Sequence, residues 1–349
     1  MSVQRPLDID GSQIGLEDQA GLSSFKLRRH ALRLSQSLVH ARDRVMFAPS
    51  LTGVAGHHAI SAPPGHMTDP FFILGNPRSG TTLLRETINR HSLLFIPPEN
   101  GQLQAMMRAF GGMRRAPWHQ VVDAVIDSFS MGYEVQYWSP DLDELKAEAK
   151  SLKPPSRSLA AIFDLVYRAY GAKEAPGKAY WGDKSTPGHF EYLGKLNHVF
   201  PQSKFVYIVR DGRDSVLSCI RAGFYSKSVV KAAYAWADNN RQCRLFGDRC
   251  GRERFLQIRY EDLVESPERE LTRVFQFLGF RFESSTLQAS PSAANASPDV
   301  RSLEHHQNVL KPISASSVGN WRRGLTSECV EAIMPIIKTE LRVHGYEAI

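Results

Sequence analysis

The sequence predicts an α/β fold: a P-loop-type parallel β-sheet of about four or five strands, flanked by helices and carrying a helical insertion. Three observations carry that prediction. Phe71-Phe72-Ile73-Leu74 and Phe205-Val206-Tyr207-Ile208-Val209 are apolar at every position, as in strands buried on both faces. A glycine-bounded polar turn, Gly75 to Thr82, follows the first run and leads into a helical pattern at Leu83, Leu84, Thr87 and Ile88, the opening of a βαβ unit. Hydrophobic residues make up 42% of the 349 residues and charged residues 23%, which supplies a core and argues against a disordered chain.

In chain order, the first residues read as a lead. Ser23 to about Met46 reads as a basic amphipathic helix, with Lys26, Arg28, Arg29, Arg33, Arg42 and Arg44 set among Leu27, Leu32, Leu38 and Val45. Such a helix more often docks on its own domain; a peripheral membrane contact through residues 23–46 is its other use. Residues 47–69, rich in Gly, Pro, Ala and His, read as a linker, so 1–69 form an N-terminal extension and 70–349 the main domain. A second strand is expected at Leu93–Ile96. Residues 101–175 form the helical insertion, broken at Gly111-Gly112, Pro117, Ser139-Pro140 and Pro154-Pro155 and expected to wall a substrate. A strand at Ala179–Trp181 precedes the turn Gly182-Asp183-Lys184-Ser185-Thr186-Pro187 and a helix to Phe200. After the strand Phe205–Val209, helices are expected over 213–222 and 229–247. A strand at Phe255–Ile258, a helix at Pro267–Leu278, a loop-like stretch from Ser284 to Ser317 and a closing helix at Thr326–Arg342 follow.

The formal net charge of +7 suits an anionic ligand or partner. Cys219, Cys243, Cys250 and Cys329 have no zinc-like spacing and read as reduced thiols. No signal-like stretch opens the chain, and nowhere do about eighteen apolar residues run together, so no transmembrane span and a cytoplasmic location are expected. The basic residues concentrate in one N-terminal helix without a recognition module, which argues against a nucleic-acid partner.

The turn after the first strand keeps the glycine frame of a P-loop, Gly75-x4-Gly80, but Thr81 stands where the γ-phosphate lysine belongs and the base has moved into the loop as Arg78. The amides at the helix start still form an anion nest, with hydroxyls at Ser79, Thr81 and Thr82. No acidic residue ends a strand to hold magnesium. Such a loop suits a terminal 5′-phosphate bearing one transferable group, with no metal. A small-molecule or nucleoside kinase is the alternative reading, and the lost lysine argues against it. At the second strand end stands Arg210, followed eight residues later by Ser218, two turns into the next helix and able to face back across the sheet edge. A guanidinium fork and a hydroxyl so placed suit a second phosphate.

Pro77-Arg78-Ser79-Gly80-Thr81-Thr82-Leu83-Leu84 after a hydrophobic strand resembles the 5′-phosphosulfate loop of the sulfotransferase family. The arginine form is similar to its carbohydrate and tyrosylprotein branches. The resemblance implies 3′-phosphoadenosine 5′-phosphosulfate (PAPS) as co-substrate, 3′-phosphoadenosine 5′-phosphate (PAP) as product, and no metal. It assigns Arg78, Ser79, Gly80, Thr81 and Thr82 to the 5′ end of the nucleotide and Arg210 and Ser218 to its 3′-phosphate. Tyr260, in Tyr260-Glu261-Asp262-Leu263, resembles an adenine contact, though a tyrosine packing at a strand end reads equally well. Lys311, in Leu310-Lys311-Pro312, resembles a lysine that closes over the nucleotide, and Arg301, His305 and His306 could join that lid. Arg221 follows Ser218 by three residues where the similar branch has four.

The small-molecule branch takes its base from a KxH motif. Lys184 is kept here, but Thr186 replaces the histidine. Glu99, 21 residues past Arg78, stands where the tyrosylprotein branch carries its catalytic glutamate, with Lys184 and Arg78 as the implied electrophilic pair. A surface glutamate or helix-start residue is the competing reading of Glu99, a partner for Asp183 that of Lys184. His189 is the second candidate base, and His91 reads as structural. The implied acceptor is a hydroxyl on a glycan, a lipid, a small metabolite or a tyrosyl peptide. A non-catalytic binding module is the remaining rival, against which the set Arg78, Glu99, Lys184, Arg210 and Ser218 argues.

Overall fold

The computed structural model describes residues 58–63, 65, 69–185, 192–288, 296–302 and 309–347. The apolar run Phe71–Leu74 forms β1, the central strand, buried at every position. Around it the sheet is parallel throughout, in the order β2-β3-β1-β4-β5, with β2 at Leu94–Phe95, β3 at Tyr180–Lys184, β4 at Lys204–Val209 and β5 at Phe255–Arg259. Side chains alternate across the pleat into two cores. Phe72, Leu74, Phe205, Tyr207 and Val209 enter one; Phe71, Ile73, Val206, Ile208 and Ile258 enter the other. Burial on both faces is why these strands carry no polar alternation.

The helices divide between the faces. On the second face lie α1 (Thr81–Ile88), through Leu84 and Ile88, α9 (Tyr260–Glu265), and α10 (Pro267–Leu278), through Leu271, Val274 and Phe275. The first face receives α6 (Leu193–Val199), α7 (Gly212–Arg221), α8 (Val229–Cys250) and α13 (Ser327–Val343). The insertion also packs there, as α2 (Leu103–Met113), α3 (Trp118–Ser130), α4 (Leu142–Ser151) and α5 (Leu159–Glu174). The chain leaving β1 therefore turns to one face while the chains leaving β3 and β4 turn to the other. A crevice opens on each side of the carboxyl end of β1, the position where open α/β sheets take their ligands.

The five-stranded parallel sheet flanked by helices is the expected fold, with local differences. β3 runs on through Gly182, Asp183 and Lys184, which the sequence reads as a turn; these residues pair with Phe71, Phe72 and Ile73. A buried aspartate is tolerated in that strand because Tyr167 and Ser185 donate to its carboxylate at 2.6 and 3.0 Å. Gly182 is needed there, since a Cβ would lie 2.5 Å from the Phe71 ring. Residues 58–62, expected as linker, are docked on the insertion: Ala59 bridges Ser158, and Ile60 packs against the first core. The expected basic helix over 23–46 and residues 186–191, with His189, lie outside the described residues. No helix among the described residues is long and apolar enough to cross a membrane.

Within the expected loop 284–317 lies α11 (Pro298–Ser302), fixed to α1 by buried charge. The fully buried Arg85 donates from Nη2 to both carboxylate oxygens of Asp299 at 2.9 Å and from Nε to Glu86 at 3.1 Å. Glu86 in turn accepts from the Ser297 hydroxyl at 2.6 Å. Burial alone would favour the neutral guanidine, yet Asp299 and Glu86 hold the Arg85 guanidinium above its ordinary value. Removing one partner strands a buried charge, so Asp299→Ala is expected to cost about 3–5 kcal/mol of stability. Arg85→Met with Asp299→Leu and Glu86→Gln should recover most of it. Urea unfolding of the wild type and the two variants checks both statements, and a small loss for Asp299→Ala alone would contradict them.

Candidate active site

The phosphate loop is shaped by close approaches that its residue types permit. A Cβ on Gly75 would lie 2.6 Å from Thr81 Cγ2 and 2.8 Å from the Ile208 carbonyl oxygen, so the chain leaves β1 hard against β4. Arg78 adopts a left-handed φ of 66°, uncommon for a side-chain-bearing residue and frequent at functional turns. Gly80, at φ 94°, opens α1, and a Cβ there would lie 2.5 Å from the Tyr260 ring. The loop is tied down from behind. Asn239 donates to Asn76 Oδ1 at 2.8 Å, Asn76 Nδ2 donates to Ser215 Oγ at 3.0 Å and to the Pro77 carbonyl at 2.9 Å, and Ser215 Oγ donates to that carbonyl at 3.2 Å.

Arg78 and Arg210 meet at the crevice between β1 and β4. Arg210 Nη1 donates to the Arg78 carbonyl at 3.0 Å and Nη2 to the Ser317 carbonyl at 2.6 Å, while its guanidinium lies over the Tyr260 ring at 4.5 Å. Arg78 Nε donates to Ser218 Oγ at 3.2 Å. Burial pulls the Arg78 guanidinium below its ordinary value, and Arg210 pushes in the same direction. Burial also pushes the neighbouring Cys219 thiol up to about 12, so no thiolate offsets the pair. A cavity of about 470 Å³ opens over these groups, lined by Arg78, Gly80, Thr81, Thr82, Arg210, Ser218, Tyr260 and Lys311, with Arg221 at its wall. Ser79 is fully buried and outside that lining, its hydroxyl without a partner. Arg78, Gly80 and the exposed Lys311 thus line the same space.

The second crevice, between β1 and β3, holds the other expected pair. Lys184, the last residue of β3, donates to Thr82 Oγ1 at 3.2 Å and forms an ion pair with Glu99. Its side chain is 3% exposed and that of Glu99 32%. The aspartate next to it is engaged by Tyr167 and Ser185 instead. Glu99 is therefore brought back to the sheet edge beside the phosphate loop. His91 is buried against Phe275 and Phe280 and contacts the Arg281 carbonyl at 3.1 Å, a packing position remote from this edge. His305 and His306 lie outside the described residues.

Several supporting residues escape a motif-based reading. Asp214 accepts from the backbone amides of Gly319 and Trp321 at 2.7 and 2.8 Å, which fixes the segment 314–321 over the cavity. Glu261 accepts from the Asp211 amide at 3.0 Å and from the Tyr346 hydroxyl at 2.7 Å, which braces the turn after β4; burial raises its carboxyl above the ordinary value. Arg213 pairs with Asp211, at 2.7 Å, and lies over Trp321 at 4.1 Å. The motifs around Arg210 and Tyr260 contain these residues, but the partners of Asp214 and Glu261 are 50 to 107 positions away.

Residues 70–284 match the sulfotransferase family. The match covers more than half of the chain, and the chain belongs to that family. It is a sulfotransferase. Among relatives, it is 25% identical over 296 residues to protein-tyrosine sulfotransferase 2 of Gallus gallus, covering 79% of this chain and 69% of that protein. It is 25% identical over 351 residues to protein-tyrosine sulfotransferase 1 of Danio rerio, covering 94% of this chain and 86% of that one. The likeness of its phosphate loop to the tyrosylprotein branch agrees with these relatives. In fold it matches the sulfotransferase domain from the Synechococcus PCC 7002 olefin synthase with a TM-score of 0.53 at 22% identity, over 82% of this chain and 98% of that domain.

The Gly80 position gives a direct test of the cradle. Gly80→Ala places a methyl group against Tyr260 at a φ that side chains rarely adopt, so about a hundredfold weaker nucleotide binding is expected with the fold retained. Titration calorimetry with PAP reads the loss, and unchanged affinity would show that the loop does not hold the ligand.

Proposed function

We propose that this chain transfers the sulfuryl group of PAPS to an acceptor hydroxyl by in-line displacement, with Glu99 as general base. The observation that carries the reading is the cavity at the carboxyl end of β1, lined by the buried Arg210 and the half-buried Arg78 and flanked by a lysine–glutamate pair. The residues fit a bisphosphorylated nucleotide. Gly80 lets the Tyr260 ring lie against the loop, and the buried Arg210 Nε has no hydrogen-bond partner, a donor available to an anion. Arg78 with the amides opening α1 would take the 5′-phosphosulfate, Arg210 and Ser218 the 3′-phosphate, and Lys311 would close from the far wall.

Sulfuryl transfer resembles phosphoryl transfer in its loose, in-line transition state, so the protein's work is positioning and charge stabilisation. Lys184 and Arg78 would neutralise the peripheral oxygens and the leaving 5′-phosphate. Glu99, which shares the Lys184 ammonium with Thr82, would accept the proton of the attacking hydroxyl. The carboxylate is 32% exposed, open enough for an acceptor to reach it. The names of the relatives make a tyrosyl peptide the first acceptor to test, beside glycans, lipids and small hydroxylated metabolites.

Glu99→Gln is expected to lower turnover by at least about a thousandfold. Acceptor screening with radiolabelled PAPS reads it, and near-wild-type rates would move the role to His189 or to the substrate itself. Arg210→Ala and Ser218→Ala should each weaken PAP about ten- to a hundredfold while leaving adenosine 5′-phosphosulfate nearly unaffected. Equal losses for the two nucleotides would refute the 3′-phosphate assignment.

A further inference from the structure

Lys184 has two claims on one ammonium. Its Nζ is shared between the Glu99 carboxylate and Thr82 Oγ1, the latter at 3.2 Å. The same ammonium is the group available at this edge of β1 to meet a sulfuryl group arriving on α1. The lysine comes from β3, the glutamate from the segment after β2, and the threonine from the first turn of α1, so all three elements that frame the crevice converge on it. Other charges near the pair are committed elsewhere. Asp183 faces Tyr167 and Ser185, and Arg85, which also attracts Glu99 electrostatically, is clamped by Asp299 and Glu86.

From this arrangement we infer that Lys184 masks Glu99 until the donor is bound: PAPS draws the ammonium away from the glutamate, and only that exchange frees the carboxylate to take a proton. The inference rests on the sulfuryl-transfer reading and adds an order to it. The buried Lys184 ammonium sits on the Glu99 carboxylate, so an acceptor hydroxyl can reach that oxygen only by displacing the lysine. An acceptor arriving first therefore meets a covered base. Once the sulfuryl oxygens satisfy Lys184, Glu99 loses its counter-ion at the moment that an acceptor hydroxyl is needed, and its remaining exposure lies toward solvent. No covalent change is involved. The ammonium stays protonated and trades one anionic partner for another, turning on the flexible four-carbon stem that distinguishes lysine from a fixed guanidinium fork.

The test is a double-mutant cycle on PAPS binding by the full chain, read by calorimetry without acceptor, for wild type, Glu99→Gln, Lys184→Met and the double variant. With Glu99 neutral, a lysine only 3% exposed has lost its anion and gains more from the donor, so Glu99→Gln should tighten PAPS about tenfold. In the Lys184→Met background the same change should alter affinity little. Equal tightening in both backgrounds would mean that the carboxylate merely repels the donor, and no tightening in either would mean that no exchange occurs; either result overturns the inference. If Lys184→Met fails to melt cooperatively, wild-type protein with ¹⁵N-labelled lysine replaces it. The Lys184 Nζ resonance, assigned through Lys184→Arg, should move on adding PAPS, and a static resonance at saturating PAPS counts against the exchange. Failure of the wild type to bind either PAPS or PAP would instead remove the sulfuryl-transfer reading on which the inference stands.

Discussion

Two arginines brought together at the end of a buried strand pair are the constraint around which this molecule is built. Arg210 donates to the backbone of Arg78, Arg78 donates to Ser218, and both arginines are largely withdrawn from water. Like charges so placed repel, and burial makes each costlier to keep. The fold tolerates the arrangement by supplying neutral oxygen acceptors and a π face at Tyr260, and by bracing the backbone with residues from distant helices. Glycine at positions 75 and 80 lets the loop approach β4 and Tyr260 closely enough for this to happen. A site held in that condition suits an anionic ligand.

Much of that arrangement was legible in the sequence, for a physical reason. A parallel sheet covered on both faces needs continuous apolar runs, and its ligand-binding turns fall just beyond them, so Phe71–Leu74 and Phe205–Val209 marked the loops as well as the strands. The helix bounds at Pro267–Leu278 followed from a proline at the start and Gly279 after the end. β3 was less legible because Gly182, Asp183 and Lys184 look like turn residues. Strand pairing overrode that local preference once Phe71 had filled the space above the glycine and Tyr167 had satisfied the aspartate. Ser79 shows the limit of counting hydroxyls in a motif: it sits in the loop, but its side chain turns into the protein.

What escaped the sequence was pairing across long separations. Arg85 and Asp299 are 214 positions apart, Asp214 and Trp321 are 107, and Asn76 and Asn239 are 163. No period or composition links such partners, because the bond depends on where the sheet brings their elements. Their effect is on specificity more than on net stability. A buried ion pair gains little over a well-packed apolar pair, yet it penalises any arrangement in which one partner is missing. The Arg85–Asp299 pair allows one seating of α11 on α1, and Asp214 one course for the segment over the cavity. These contacts convert a generic α/β scaffold into one with a defined rim.

The two crevices beside β1 divide the chemistry because the chain leaves neighbouring strands toward opposite faces of the sheet. The β4 side gathers the groups that suit the phosphates of a nucleotide, and the β3 side gathers the lysine and the carboxylate. Thr82 belongs to both, lining the cavity and accepting from Lys184. The first turn of α1 is therefore the physical link between the two crevices. The far wall of the β3 crevice comes from the insertion, where the carboxylate of Glu134 sits against the backbone of Gly101, two residues from Glu99. Donor-side residues must match a fixed pattern of charge and so leave short motifs. The wall opposite must only pack on its own core and present a surface, and nearby Met131 and Tyr133 do so at 82% and 72% exposure. Constraint of the first kind writes itself into sequence, while the second leaves helical periodicity and the freedom to change what is accepted.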